Sequence, residues 1–198
     1  TPTNTSNFTA TITPTQAVYR IKKINSYDAD SSLMAYTVFT YSGNNDLYDR
    51  ADTYDATNTF LTYTLYQYDS NNLLIRDDAY LNGGILVSHR IYTYSGNVLQ
   101  RVDNYGDMTG TSSYSFYYYS SGNVSMVENY DSSGVLQSYR EYIYSSGTLI
   151  RINKYDGASN LTSYTLYTYD SNNLVIRTDD YDPSDTLMGY NTYEYEPY

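Results

Sequence analysis

Cysteine and tryptophan are absent from this chain, histidine occurs once and proline four times. Without cysteine no disulfide can staple the fold and no thiolate can act as nucleophile or ligand, so stability must come from hydrogen-bonded ladders and side-chain packing. Basic residues are scarce too. Eleven Lys and Arg stand against 22 Asp and Glu, a formal charge of −11, with a pI near 4.2. A phosphate-binding surface needs cations to release counterions, so nucleic acid is not an expected partner, and anionic lipid is disfavoured on the same ground. No run approaches the roughly 18 apolar residues of a transmembrane helix, no charged-then-apolar leader opens the sequence, and no stretch sustains a helical period.

What the chain has instead is tyrosine, 30 residues of it among 198. Leu, Ile, Val and Phe are thin, so the phenol ring, apolar in body and polar at its tip, must supply much of the packing. Residues 1–17 form a Thr- and Asn-rich, uncharged segment in which Phe8, Ala10 and Ile12 alternate with threonines at the period of a half-buried strand. It is read as a linker or a donor strand.

From about residue 18 to 198 the chain repeats, as one domain of seven units. Tyr27, Tyr54, Tyr80, Tyr105, Tyr130, Tyr155 and Tyr181 are spaced by 27, 26, 25, 25, 25 and 26 residues. A second series, Tyr41, Tyr68, Tyr94, Tyr119, Tyr144, Tyr169 and Tyr195, follows the first by 14 residues in every unit. A constant 14 implies a hairpin of fixed register, while the return connection varies from 13 to 11 as a surface loop would.

Each unit supplies two strands. On the first, Lys23, Arg50, Arg76, Arg101, Arg151 and Arg177 stand four residues before the repeat tyrosine, with Met126 as the exception, and an acid or amide such as Asp78, Asp103 or Asn153 stands two before it. Strand alternation puts these on the tyrosine's face. On the second strand a further aromatic series runs Tyr36, Tyr63, His89, Tyr114, Tyr139, Tyr164 and Tyr190, on the face opposite Tyr167 and Tyr169 and their equivalents. The drier face is expected to join Tyr167, Tyr169 and Leu161 to Ile150 and Ile152. Asp residues directly after a tyrosine, with Gly and Asn nearby, mark the turns.

These features predict an all-β, antiparallel meander of seven two-strand hairpins, a curved single-layer sheet or solenoid-like array with tyrosine ladders. A porin-like barrel is set aside because Tyr, Thr, Asp and Arg offer no apolar outer band. The motif YDSSGVL at Tyr130–Leu136, with YDADSSL at 27–33 and YTYDSNNLVIR at 167–177, resembles the tyrosine-aspartate (YD or Rhs-type) repeats of bacterial surface and toxin proteins. That resemblance implies β-hairpins wound into a long strip of sheet. The Gly-Arg-Leu that usually follows the turn in those repeats is missing here.

No Ser, His, Asp arrangement can be built on spacing, and a basic rung repeated in nearly every unit reads as a charge-paired sheet face rather than an active centre. The expectation is a non-enzyme without cofactor or metal, with His89 a structural ring. Two functions follow. The first is an extracellular or cell-surface structural protein that polymerises head to tail with copies of itself through open sheet edges, using Phe8, Ala10 and Ile12 against Tyr190, Tyr193 and Tyr195. The second is an adhesin or glycan-binding module whose tyrosine-rich face stacks on sugar rings.

Overall fold

Tyrosine, threonine and valine at alternating positions suit a pleated surface with two unlike faces. The computed structural model describes residues 18–43 and 45–198; the expected donor segment around Phe8, Ala10 and Ile12 lies outside the described residues. Fourteen strands follow in order: β1 (Tyr19–Asp28), β2 (Leu33–Thr40), β3 (Arg50–Asp55), β4 (Phe60–Tyr68), β5 (Leu74–Leu81), β6 (Leu86–Ser95) and β7 (Val98–Gly106). The second half comprises β8 (Thr111–Ser120), β9 (Asn123–Asp131), β10 (Leu136–Ser145), β11 (Thr148–Asp156), β12 (Leu161–Tyr169), β13 (Val175–Tyr181) and β14 (Leu187–Pro197).

Each strand pairs antiparallel with its sequence neighbours, and β14 pairs back onto β1 from Tyr19↔Pro197 to Asp28↔Gly189. The sheet is therefore a closed barrel, which corrects the expected open meander or solenoid. The physical reason lies in the twist and coil that accumulate across fourteen strands and bring the two ends together. The lack of an apolar outer band had counted against a barrel, but strand pairing closes the sheet whether or not such a band is present. With β14 joined to β1, neither open edge expected for polymerisation exists among the described residues.

The seam is built like every other inter-unit junction. Tyr27 stacks on Tyr190 at 4.7 Å, and the same stack recurs in Tyr36–Tyr54, Tyr63–Tyr80, His89–Tyr105, Tyr114–Tyr130, Tyr139–Tyr155 and Tyr164–Tyr181. Ser26 Oγ donates to Asn191 Oδ1 at 2.7 Å, and Arg20 pairs with Glu196 at 2.8 Å. The backbones approach closely here. A Cβ on Gly189 would stand 2.6 Å from the Tyr27 carbonyl oxygen, which explains glycine at that position.

The stacked pairs lie on the outside together with the basic ladder. Arg50, Arg101, Arg151 and Arg177 lie over Tyr63, Tyr114, Tyr164 and Tyr190 at 3.7 to 4.2 Å, and Lys23 lies over Tyr36 at 4.2 Å. Arg50, Arg76, Arg101 and Arg177 also pair with the acid two residues on, Asp52, Asp78, Asp103 and Asp179, at 2.5 to 2.7 Å. Partly exposed pairs of this kind contribute about 0.2–1 kcal/mol each, and a ring beneath the guanidinium adds about as much.

At seven turns one device recurs. Asp28, Asp55, Asp69, Asp131, Asp156, Asp170 and Asp182 each accept, through Oδ1, the backbone N–H groups two and four residues later. The residue between those donors takes positive φ, as at Asn58, Asn72 and Gly134. Hydrogen bonds to the carboxylate lower the Asp55, Asp69 and Asp156 pKa values, chiefly from Thr57, Leu73 and Asn160 respectively.

Candidate functional site: the barrel lumen

Barrels of about 8 strands fill their interiors with side chains, whereas those of roughly 16 keep an aqueous channel; fourteen falls between. Along each strand the inward positions form layers. At one end, Tyr41, Tyr68, Tyr94, Tyr119, Tyr144, Tyr169 and Tyr195 make a ring in which each hydroxyl donates to the carbonyl 20 residues earlier, at 2.5 to 3.0 Å. Satisfying the phenol tip on backbone lets this end be aromatic without stranding a polar atom.

The next layer alternates large and small. Phe39, Tyr66, Tyr92, Tyr117, Tyr142, Tyr167 and Tyr193 come from the even-numbered strands. Ile24, Ala51, Asp77, Val102, Val127, Ile152 and Thr178 come from the odd ones, and of these Ala51, Asp77, Val102, Val127, Ile152 and Thr178 are buried. Tyr48, from the loop before β3, adds its ring edge-on to Tyr66 at 4.6 Å. Burial is the main cause that raises the Tyr48, Tyr66, Tyr92, Tyr117 and Tyr167 pKa values, Tyr66 and Tyr167 to about 12.

The third layer carries the charge. Thr37, Thr64, Arg90, Ser115, Arg140, Thr165 and Asn191 come from the even strands, and Lys154 and Asp180 join them from β11 and β13. Arg90 pairs with buried Asp77 at 2.7 Å, and Asp77 also accepts the Tyr92 hydroxyl at 2.7 Å. Lys154 pairs with Asp180 at 2.9 Å, and Thr165 donates to the same carboxylate at 2.5 Å. Beyond this layer the inward positions shrink to Ser88, Ser113, Ser138, Ser163 and Gly189, so the end opposite the tyrosine ring is lined by small groups. Cavities open in the charged layer. One of about 380 Å³ lies among Arg140, Tyr142, Lys154, Tyr167, Asp180 and Tyr193; one of about 170 Å³ lies among Arg90, Asn104, Ser115, Tyr117, Asn129 and Arg140.

The structure thus separates the residues singled out in the sequence. The basic ladder and the Tyr36-to-Tyr190 series, including His89, sit on the outside. The Tyr41-to-Tyr195 series rings one end of the lumen. Tyr190, Tyr193 and Tyr195 lie on β14 between β13 and β1, the first outward and the other two inward. His89 holds Asp107 at 2.7 Å and stacks on Tyr105. Leu161 and Ile150 do not join Ile152 as expected. Leu161 sits opposite Tyr155, and Ile150 is exposed, because single-residue bulges at both places reverse the alternation. The lumenal Arg90, Arg140 and Lys154 were missed as site residues. Their signal was present, since Arg90 and Arg140, with Asn191, interrupt a register otherwise held by Thr37, Thr64, Ser115 and Thr165.

Among the described residues no group of three or more His, Asp or Glu side chains could hold a metal, and no helix is long and apolar enough to cross a membrane. No protein-family model matches the chain, and no curated protein matches it in sequence. Among solved structures it is similar to a porin-like protein of Bacteroides vulgatus, at 12% identity and a TM-score of 0.52, over 91% of this chain and 100% of that one. It also matches a porin-like protein of Bacteroides uniformis at 11% identity and a TM-score of 0.44, over 89% and 98% of the two chains. The first likeness is one of fold and overturns the resemblance to YD-type repeats: the hairpins close into a porin-like, 14-stranded antiparallel barrel rather than winding into a strip.

Proposed function

We propose that this protein is a water-facing barrel of the cell envelope or extracellular space that holds a small polar solute in its lumen, binding it rather than transforming it. The observation that carries the reading is the contrast between its two surfaces. The outer wall bears Arg50, Arg76, Arg101 and Arg177 with their paired acids, the last three inside their strands, where a lipid-facing barrel would incur about 2–4 kcal/mol for each Arg at the bilayer midplane. The lumen instead gathers hydroxyls, amides and charges around these cavities, the usual make-up of a site for a polar ligand. The composition, rich in Tyr, Thr, Ser and Asn with few Lys, and the fold shared with a protein described as porin-like support an envelope or surface location.

The same geometry relocates the sugar-binding reading. The outer rings are already engaged with one another and with the basic ladder, whereas the lumenal Tyr117, Tyr142 and Tyr167 border open space. A filament would need a strand edge, and none is free among the described residues. The test combines planar-bilayer conductance with a thermal-shift screen of neutral sugars, sugar acids and small organic acids. The expected result is no conductance and a saturable rise in Tm with at least one polar solute. Stable single-channel conductance would overturn the reading.

A further inference from the structure

Among the described residues, the middle layers of the lumen bring together the cations Arg90, Arg140 and Lys154 and the carboxylates Asp77 and Asp180. Arg140 on β10 stands directly opposite Lys154 on β11, with Val127 of β9 on its other side. Like charges directly opposed across strands are unfavourable. Lys154 escapes by turning to Asp180, and Arg90 is held by Asp77. Arg140 has neither remedy. Its side chain makes no hydrogen bond or ion pair among the described residues.

Arg90 and Arg140 stand on β6 and β10, two strands to either side of β8. Both act on the Tyr117 phenol of β8, which lies between those strands, and both line the 170 Å³ cavity. A guanidinium presents five N–H donors and no acceptor, so the group that completes this cavity must accept hydrogen bonds and carry negative charge. The walls set a second condition. Val102 and Val127 are buried in its lining beside the rings of Tyr92 and Tyr117, and Asn104 and the hydrogen-bonded pair Ser115 and Asn129 complete it. Flat rings beside amides and hydroxyls suit a polyhydroxylated ligand better than a bare inorganic ion.

We propose that the lumen binds a carboxylate-bearing sugar or closely similar hydroxy acid, with its carboxylate anchored by Arg140 beside Arg90. The proposal rests on the lumenal-solute reading above and names the ligand class. The chain's charge of −11 gives the anchor a further role, because an anionic solute entering an acidic protein needs a local cation to be retained.

The experiment titrates the full chain with glucuronate, glucose and inorganic sulfate at constant ionic strength in sodium chloride, read by calorimetry and thermal shift. Wild type should bind glucuronate at least tenfold more tightly than glucose or sulfate. Arg140→Gln should weaken glucuronate at least tenfold and leave glucose unchanged, Arg140→Lys should fall between, and the outer-face variant Arg101→Gln should match wild type. Equal binding of glucose and glucuronate, or an unaffected Arg140→Gln, would overturn the anionic-sugar proposal while leaving the lumenal reading standing. Sulfate binding as tightly as glucuronate would overturn the sugar component. No binding of any of the three by folded wild type would overturn this proposal, and failure of the whole solute screen would remove the lumenal reading as well.

Discussion

Alkaline pH should unfold this protein through its lumen. Tyr48, Tyr66, Tyr92, Tyr117 and Tyr167 have raised pKa values, with burial as the leading cause, Tyr66 and Tyr167 at about 12 against an unfolded value of 10.0. Between those values the unfolded phenol has lost its proton while the folded one keeps it. The folded state therefore binds more protons, and stability falls as pH rises. The contribution is fully present below pH 10 and disappears as pH passes about 12. Each tenfold change in proton affinity is worth about 1.4 kcal/mol, so the Tyr66 rise corresponds at most to about 2.7 kcal/mol. Lumenal water screens part of that, leaving about 1 kcal/mol for each of Tyr66 and Tyr167, a sizeable share of the roughly 5–15 kcal/mol that holds a typical domain folded; Tyr48, Tyr92 and Tyr117 act in the same direction. The assay follows tyrosinate by near-ultraviolet absorbance and the sheet by circular dichroism over the same titration. Ordinary tyrosines should ionise first with the sheet intact, and a second group should ionise only as the sheet is lost. Tyr66→Phe should reduce the pH-dependent loss by about 1 kcal/mol. Complete ionisation near pH 10 with the barrel intact, or no change in Tyr66→Phe, would refute the reasoning.

Other outcomes follow from particular contacts. Asp77→Ala strips Arg90 and Tyr92 of a partner buried to 2% exposure, and should cost about 3 kcal/mol, seen as a Tm lowered by roughly 10 °C. Gly189→Ala drives a Cβ against the Tyr27 carbonyl and should cost about 2 kcal/mol, with hydrogen exchange accelerating first in β1 and β14. A double-mutant cycle on Arg101 and Tyr114, 4.2 Å apart on the outer wall, should give a coupling of about 0.5–1 kcal/mol by denaturant unfolding. Glu128→Gln should bring Tyr118, held at about 12 chiefly by its hydrogen bond to that carboxylate, back toward ordinary titration without unfolding the sheet.

Much of the wall could be read from the chain. A period of two places Arg101, Asp103 and Tyr105 on one side of a strand, and the constant 14-residue offset pairs the strands of each unit. Closure could not be read, because it depends on twist and stagger summed over fourteen strands, which no single repeat encodes. The faces of Leu161 and Ile150 were misjudged for a smaller reason of the same kind, since one extra residue at a bulge reverses every assignment beyond it. Arg140 was hidden by the outer basic ladder. Only its register with Thr37, Thr64, Ser115 and Thr165, rather than with Arg151 or Arg177, marks it as an inward cation.

Closure of the sheet is the claim on which the lumen, its cavities and its ligand all depend, and a cross-link across the seam tests it most directly. Ser26 and Asn191 face each other inside the barrel, joined by a 2.7 Å hydrogen bond. In a chain otherwise free of cysteine, Ser26→Cys with Asn191→Cys should oxidise at high dilution to an intramolecular disulfide, giving a monomer of altered mobility on a non-reducing gel. Covalent dimers and higher ladders, or two thiols that stay free, would contradict it.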